Sequence, residues 1–266
     1  MSFRLHHFSL EEPMVLDWLV RKPGSAPLVI AHRGSSGVAP ENTIASLELA
    51  VSQGATAVEC DVVLSADGVP IVIHDTTLDR TTSGSGDVSA LVWSDLAKLD
   101  AGSWKATKYG SERLVRLSDL LHRAKGRARI IIELKAGDPA TLAQTTLEAI
   151  EANPGVDTAV ISFVPAVVEA VRRTIPSVAV GYLYSRHWPW ATDHADVISR
   201  ARAIGAHFVS PEYSLATEAF CSAAHLAGMP VSVWTCNDAE SMRSLADAGV
   251  DAVTTDWPDI ALKTYR

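Results

Sequence analysis

Glu59 and Asp61 stand two apart in the apolar run AVECDVV. Side chains alternate faces along a strand, so both carboxylates point the same way. Two carboxylates aimed together into an interior repel each other and are costly to desolvate. A divalent cation removes both costs, and hard oxygen ligands suit Mg²⁺, Ca²⁺ or Mn²⁺. A salt bridge or a solvent-facing strand edge is the plainer alternative, and the apolar flanks disfavour it. Glu133 and Lys135 repeat the spacing at the end of RIIIELK. Glu133 is a candidate third ligand and Lys135 a candidate contact for an anionic substrate; a mutual ion pair is the other reading.

His32-Arg33-Gly34 closes the apolar run LVIA. A guanidinium fork matches phosphate oxygens. His32 alone would read as a core histidine. With a second strand-end histidine, His74, it becomes a candidate acid/base partner. Asp67-Gly68 separates two extended runs and signals a hairpin. If those two residues form the loop, Asp61 faces His74 and Ser65 faces Pro70, in pairs with Cα atoms about 4.5 Å apart.

These groups need a frame. Short β-rich runs begin at Leu28, Ala55, Arg129, Thr158, Val178, His207, Pro230 and Asp251, with helical patterns between them. Eight such alternations predict an α/β fold, a (β/α)8 TIM barrel with its chemistry at the C-terminal ends of the strands. A doubly wound open sheet shares the alternation but lacks support, because no Gly-rich loop follows the first strand. Asn42, Ser118 and Asp138 are candidate helix caps, and Gly54, Gly205, Gly228 and Gly249 candidate helix ends. Residues 76–117 break the rhythm. They read as an insertion after the second barrel strand, at the catalytic face, with a short helix near Ser94–Leu99. The expected organisation is an N-terminal extension over 1–27 and a single barrel domain over 28–266.

A chain of 266 residues, 47% hydrophobic, is ample for one such barrel. The net charge of −8 argues against nucleic-acid partners and anionic membranes. Cys60, Cys221 and Cys236 are far apart with no CxxC spacing, which predicts buried free thiols and a reducing compartment. No run approaches the roughly 18 apolar residues of a membrane helix, and the N-terminal residues do not read as a signal peptide. A cytoplasmic protein without stable membrane anchoring is the expectation.

HRG at 32–34, PENT at 40–43, ExD at 59–61, DG at 67–68, HD at 74–75, LDRTT at 78–82, GxG at 84–86, ELK at 133–135, SF at 162–163 and WTxN at 234–237 occur in one order. In that order the chain resembles the glycerophosphodiester phosphodiesterases, over roughly residues 28–258. The resemblance implies a barrel of the phosphatidylinositol-phospholipase C-like type. It also implies one divalent cation, Mg²⁺ or Ca²⁺, and release of an alcohol with sn-glycerol 3-phosphate. It makes Glu59, Asp61 and Glu133 the metal ligands and His32 and His74 the acid/base pair. Arg33 and Lys135 would hold the phosphate, and Glu41 would orient a neighbour or reach the metal through water. Phe163 and Trp234 would form the apolar wall beside glycerol. Cys236 and the closing TTDWP at 254–258 depart slightly from the family pattern.

The implied chemistry is attack by the neighbouring glycerol hydroxyl, giving a cyclic phosphate that water opens later. His74 is assigned as base and His32 as acid, though each can serve both ways over two steps. An inactive phosphate-ester-binding barrel and a lysophospholipase D-type activity on longer lipids are the alternatives. A glycosidase needs carboxylates about 5–9.5 Å apart across a sugar, which neighbours on one strand do not supply. A zinc amidohydrolase would need HxH after the first strand, and none occurs. A choline head group would want an aromatic cage, for which Trp104, Tyr109, Trp188 and Trp190 are candidates.

Overall fold

The computed structural model describes residues 16–266; readings that fall on residues 1–15 lie outside them. Its strands are β1 (Leu28–Ala31), β2 (Ala57–Leu64), β3 (Pro70–Val72), β4 (Val115–Arg116), β5 (Arg129–Leu134), β6 (Thr158–Ser162), β7 (Ala179–Tyr184), β8 (Phe208–Pro211), β9 (Ser232–Val233) and β10 (Ala252–Thr255). Its helices are α1 (Ile44–Ser52), α2 (Trp93–Leu96), α3 (Leu117–Ala124), α4 (Pro139–Glu151), α5 (Pro165–Thr174), α6 (His194–Ala203), α7 (Glu218–Leu226), α8 (Ala239–Ala248) and α9 (Pro258–Thr264).

Eight of the strands pair in parallel in the order β8-β7-β6-β5-β2-β1-β10-β9. Two separate bridges, Val209 to Val231 and Glu212 to Trp234, join β8 to β9 and close the barrel. Most barrel strands are buried along their whole length, as strands covered on both faces must be.

Alternation sorts their side chains into two cores. Ile30, Ala57, Ile131, Ala159, Ile161, Leu183, Phe208 and Ala252 point inward, with Leu19 packed among them at the N-terminal end. Gly181 leaves the space that the Phe208 ring fills; a Cβ there would collide with that ring. The opposite faces pack against the helices.

β3 and β4 form an antiparallel ribbon on β2. It carries residues 76–117, which have a small core of their own around Leu78, Val88, Leu96 and Leu114. The short helix there is α2, slightly earlier than the sequence suggests. The hairpin register differs by one residue from the sequence expectation. Leu64 pairs with Pro70 and Val62 with Val72, and Ser65 N–H donates to Val69 O at 3.0 Å. The loop therefore holds three residues, Ala66 to Gly68, with Gly68 left-handed at φ 77°, a common hairpin geometry. Asp61 consequently lies opposite Ile73, whose N–H donates to Asp61 O at 3.0 Å, and His74 sits one residue beyond.

Two caps also differ. Thr43, not Asn42, caps α1, in a reciprocal pair with Ser46, and Arg116, not Ser118, occupies the cap position of α3. Asp138 caps α4 with Pro139 in the first turn, as expected. Gly54, Gly205, Gly228 and Gly249 are all left-handed. The three cysteines are buried and free. No described helix is long and apolar enough to cross a membrane.

Candidate active site

The site forms where β1, β2, β5 and β10 end. Glu59 and Asp61 project inward from β2, and their neighbours across the β2–β5 ladder are Ile131 and Glu133. Period-two alternation on paired strands thus gathers Glu59, Asp61 and Glu133 with ligand atoms all within 4.8 Å of one another. All three residues are buried. Glu59 Oε1 has no partner, and Asp61 Oδ1 and Glu133 Oε1 have only the Lys135 ammonium. Buried carboxylate oxygens left in that state are costly, and three converging hard oxygens fit a divalent cation.

Two cations already lean on this cluster. Lys135 Nζ lies 2.9 Å from Asp61 Oδ1 and 2.6 Å from Glu133 Oε1 and pairs with both. The mutual Glu133–Lys135 pair weighed from sequence is therefore present, inside a larger constellation. Arg33 Nε lies 3.0 Å from Asp61 Oδ2, and the Arg33 backbone N–H donates to Glu59 Oε2 at 3.0 Å. That backbone contact comes with a left-handed conformation, φ 55°, rare for a side-chain-bearing residue. Gly34 follows at φ 82°, pressed against Ser46 so closely that no Cβ would fit. Ser46 Oγ in turn donates to Arg33 O at 2.8 Å. Helix α1 and the turn after β1 therefore hold Arg33 in its strained shape.

The electrostatics follow from this packing. Burial, then the charges of Asp61 and Glu133, push Glu59 well above the usual carboxylate range. Burial and Asp61 raise Glu133 to about 7 against the pull of Lys135. Burial pushes Asp61 up as well, but Arg33 and Lys135 prevail and hold it below its ordinary value. The cluster without a cation thus carries one firm negative charge and two acids disposed to keep protons.

Both histidines are braced by carboxylates. His32 Nδ1 lies 2.6 Å from Asp256 Oδ1, and Asp256 also accepts from Ser36 Oγ at 2.9 Å and Asn237 Nδ2 at 2.7 Å. Burial raises the Asp256 pKa, but the bonds from His32, Asn237 and Ser36 bring it down to about 2. His74 Nδ1 lies 2.6 Å from Asp75 Oδ1, and Arg80 holds Asp75 down to about 2. Because a carboxylate only accepts, each Nδ1 must carry the proton. Each ring then has Nε2 left for proton transfer, and His32 Nε2 lies 3.9 Å from Glu59 Oε2. Burial lowers the His74 pKa, against the attraction of Asp61.

The remaining predicted residues divide. Glu41 accepts from Arg33 Nη1 at 2.8 Å and belongs to the site. Phe163 and Trp234 meet edge to face, centroids 5.3 Å apart. Trp234 lines a cavity of about 30 Å³ together with His32, Glu59, Glu133 and Leu19. Trp188 packs on Phe163 and Tyr182, and Trp190 on Tyr182 and Tyr184. Trp104 donates to Ala101 O within the insertion, and Tyr109 reaches toward Val38 O at 3.5 Å. These four are spread over two loops and form no single cage.

Sequence reasoning missed Asp256, Asn237 and Asn42. Asn42 is left-handed at φ 59°. Its side chain spans Asp61, donating to Oδ2 at 2.9 Å and accepting from the backbone N–H at 3.2 Å. Its place in PENT was a signal, but its cap-like type concealed it.

A model of the glycerophosphoryl diester phosphodiesterase family matches residues 32–260. A glycerophosphodiester phosphodiesterase of Caldanaerobacter subterraneus is 31% identical over 90% of this chain and 98% of its own. One from Bacillus subtilis is 32% identical over 90% of this chain and 86% of its own. The solved structure of an Oleispira antarctica phosphodiesterase, in complex with the product sn-glycerol-3-phosphate, is 32% identical. It superposes with a TM-score of 0.82 over 90% of this chain and 96% of that one.

Proposed function

The chain belongs to the glycerophosphoryl diester phosphodiesterase family, and from that premise we propose that it hydrolyses glycerophosphodiesters to sn-glycerol 3-phosphate and an alcohol, using a divalent cation and two histidines. The observation that carries this reading is the convergence of three buried carboxylates, Glu59, Asp61 and Glu133, with ligand atoms within 4.8 Å of one another and Glu59 Oε1 left without a partner. They lie beside an imidazole held at Nδ1 by its own carboxylate. The Oleispira antarctica relative, similar over nine-tenths of this chain, carries the corresponding product.

Mg²⁺ or Ca²⁺ held by Glu59, Asp61 and Glu133 would neutralise the cluster and polarise a phosphoryl oxygen. Arg33 and Lys135, flanking Asp61, supply the cationic grip on the other phosphate oxygens. His74 Nε2 takes the proton of the attacking glycerol hydroxyl, and His32 Nε2 gives one to the departing alkoxide. The roles reverse when water opens the cyclic phosphate. Asp75 and Asp256 hold the Nδ1 protons, so that each ring turns Nε2 to the substrate, bare on His74 to accept the hydroxyl proton and protonated on a His32 imidazolium to donate one. Phe163 and Trp234 face the carbon skeleton of glycerol, and Glu41 keeps the Arg33 fork aligned.

Turnover of glycerophosphocholine, with chelator and after adding back Mg²⁺ or Ca²⁺, tests the reading. Loss in chelator and recovery with the cation is the expected result. Full turnover in excess chelator would remove the metal, and no turnover of any glycerophosphodiester by the cation-loaded protein would remove the activity. Choline release from lysophosphatidylcholine alone would favour the lysophospholipase D alternative.

A further inference from the structure

Arg80, in the insertion, has no part in the reaction drawn above, yet it grips two carboxylates of the mouth at once. Its Nη1 and Nη2 donate to Glu41 Oε2 and Oε1, both at 2.8 Å. Its Nε and Nη2 donate to Asp75 Oδ2 at 2.7 Å and Oδ1 at 3.2 Å. One planar guanidinium thus makes two forks, a geometry that an ammonium cannot copy. Each carboxylate passes the contact on. Glu41 Oε1 is bonded to Arg33 Nη1 at 2.8 Å, and Asp75 Oδ1 to His74 Nδ1 at 2.6 Å.

The Arg80 backbone is well anchored for this. Leu78, two residues before it, is fully buried in the insertion's own core, and Thr82 N–H donates to Leu78 O at 3.1 Å. The side chain itself is 44% exposed, and exposed ion pairs contribute little to stability. What the network does instead is geometric. Arg33 is strongly drawn to Asp61, and His74 follows the orientation of Asp75. Without Arg80, Glu41 keeps only its bond to Arg33 and Asp75 only its bond to His74.

We propose that Arg80 is a positioning residue that sets the His74 imidazole and the Arg33 guanidinium at a fixed separation across the phosphate. The inference rests on the functional reading above. It also gives residues 76–117 a role, since the same insertion sends Lys105 Nζ to Ser36 O at 2.8 Å, beside the Ser36 hydroxyl that braces Asp256.

The test uses full-length Arg80→Ala and Arg80→Lys. Arg80→Ala should fold with an unchanged Tm and lose about 10- to 100-fold in kcat/KM, as loss of an outer supporting contact typically does. KM should rise through Arg33 and kcat fall through His74, with Arg80→Lys recovering only part of each. Asp75→Asn or Glu41→Gln should each cost less in the Arg80→Ala background than in the wild type, because Arg80 acts through both carboxylates. Kinetic constants within twofold of wild type, or losses that multiply fully in both double variants, would overturn the proposal. A second readout needs no turnover. The His74 Nδ1–H proton resonance should shift or vanish in Arg80→Ala, while that of His32 stays in place as an internal reference. An unmoved His74 resonance overturns the proposal even if the wild type turns over no glycerophosphodiester, an outcome that would instead fall on the functional reading.

Discussion

At the mouth of the barrel, three buried carboxylates crowd within 4.8 Å with Glu59 Oε1 unpaired, and Arg33 and Asn42 hold left-handed backbone at φ 55° and 59°. At the floor, the same barrel is closed by satisfied contacts. Leu19, 1% exposed, fills the base of the inner core. Arg21 N–H and Val231 N–H donate to the two oxygens of Asp251 at 2.9 and 2.8 Å, and His225 Nε2 meets it at 2.7 Å. His207 accepts the Val180 N–H at 2.9 Å. The mouth keeps crowded carboxylates and strained backbone, and the floor supplies the packing that tolerates them. A change at the mouth should therefore cost activity and leave stability alone, and a change at the floor the reverse.

The strongest test lies with the histidines. His32→Ala or His74→Ala should lower turnover by about 10³-fold or more, an acid/base contribution being typically 10²–10⁴, with Tm little altered. Wild-type-like rates in either variant would end the two-histidine scheme. Next, Leu19→Ala and Glu59→Gln should move stability in opposite directions in cation-free buffer. The floor change should cost about 2–4 kcal/mol in urea unfolding by leaving a cavity. The mouth change, by removing an acid that is costly to bury whether it ionises beside Asp61 or keeps its proton, should add on the order of 1 kcal/mol while abolishing turnover. A destabilised Glu59→Gln protein would contradict the contrast.

The smallest effect is one of pH. Burial, then the Arg172 charge, lowers the His207 pKa from 6.5 to about 4. The unfolded chain binds that proton near 6.5 and the native chain only near 4. The contribution is therefore intact above pH 6.5 and declines as the pH falls through that interval. After allowance for partial exposure it amounts to roughly 1–2 kcal/mol. His207→Asn, which keeps an acceptor for Val180, should flatten the urea midpoint between pH 6.5 and 4; an unchanged slope would assign it elsewhere.

The acidic cluster was legible because strand alternation is strict: once 59, 61 and 133 lie on neighbouring strands, their side chains must converge. The barrel was legible for the same reason, through its repeated apolar runs. What stayed hidden depended on joints between distant parts. The Asp67-Gly68 signal located the hairpin but not its loop length, and one added residue moved His74 out of register with Asp61. Asp256 stands 224 positions from His32, and only closure of the wall, which sets β10 against β1, brings them together. Asn42 has the residue type of a cap, and its left-handed backbone cannot be read from type alone. Arg80 sat in a recognisable motif, but its partners Glu41 and Asp75 belong to two other segments.

The closure itself has a consequence. Elsewhere around the wall neighbouring strands share a ladder, but β8 and β9 meet only through the bridges at Val209–Val231 and Glu212–Trp234. Two side-chain rivets support them, Ser210 Oγ to Ser232 O at 2.7 Å and Trp234 Nε1 to Ser210 O at 2.9 Å. This seam borders Trp234 and lies across the wall from β2 and β5. Loosening at this seam would therefore act first on the Trp234 side of the rim, across the wall from the acidic cluster.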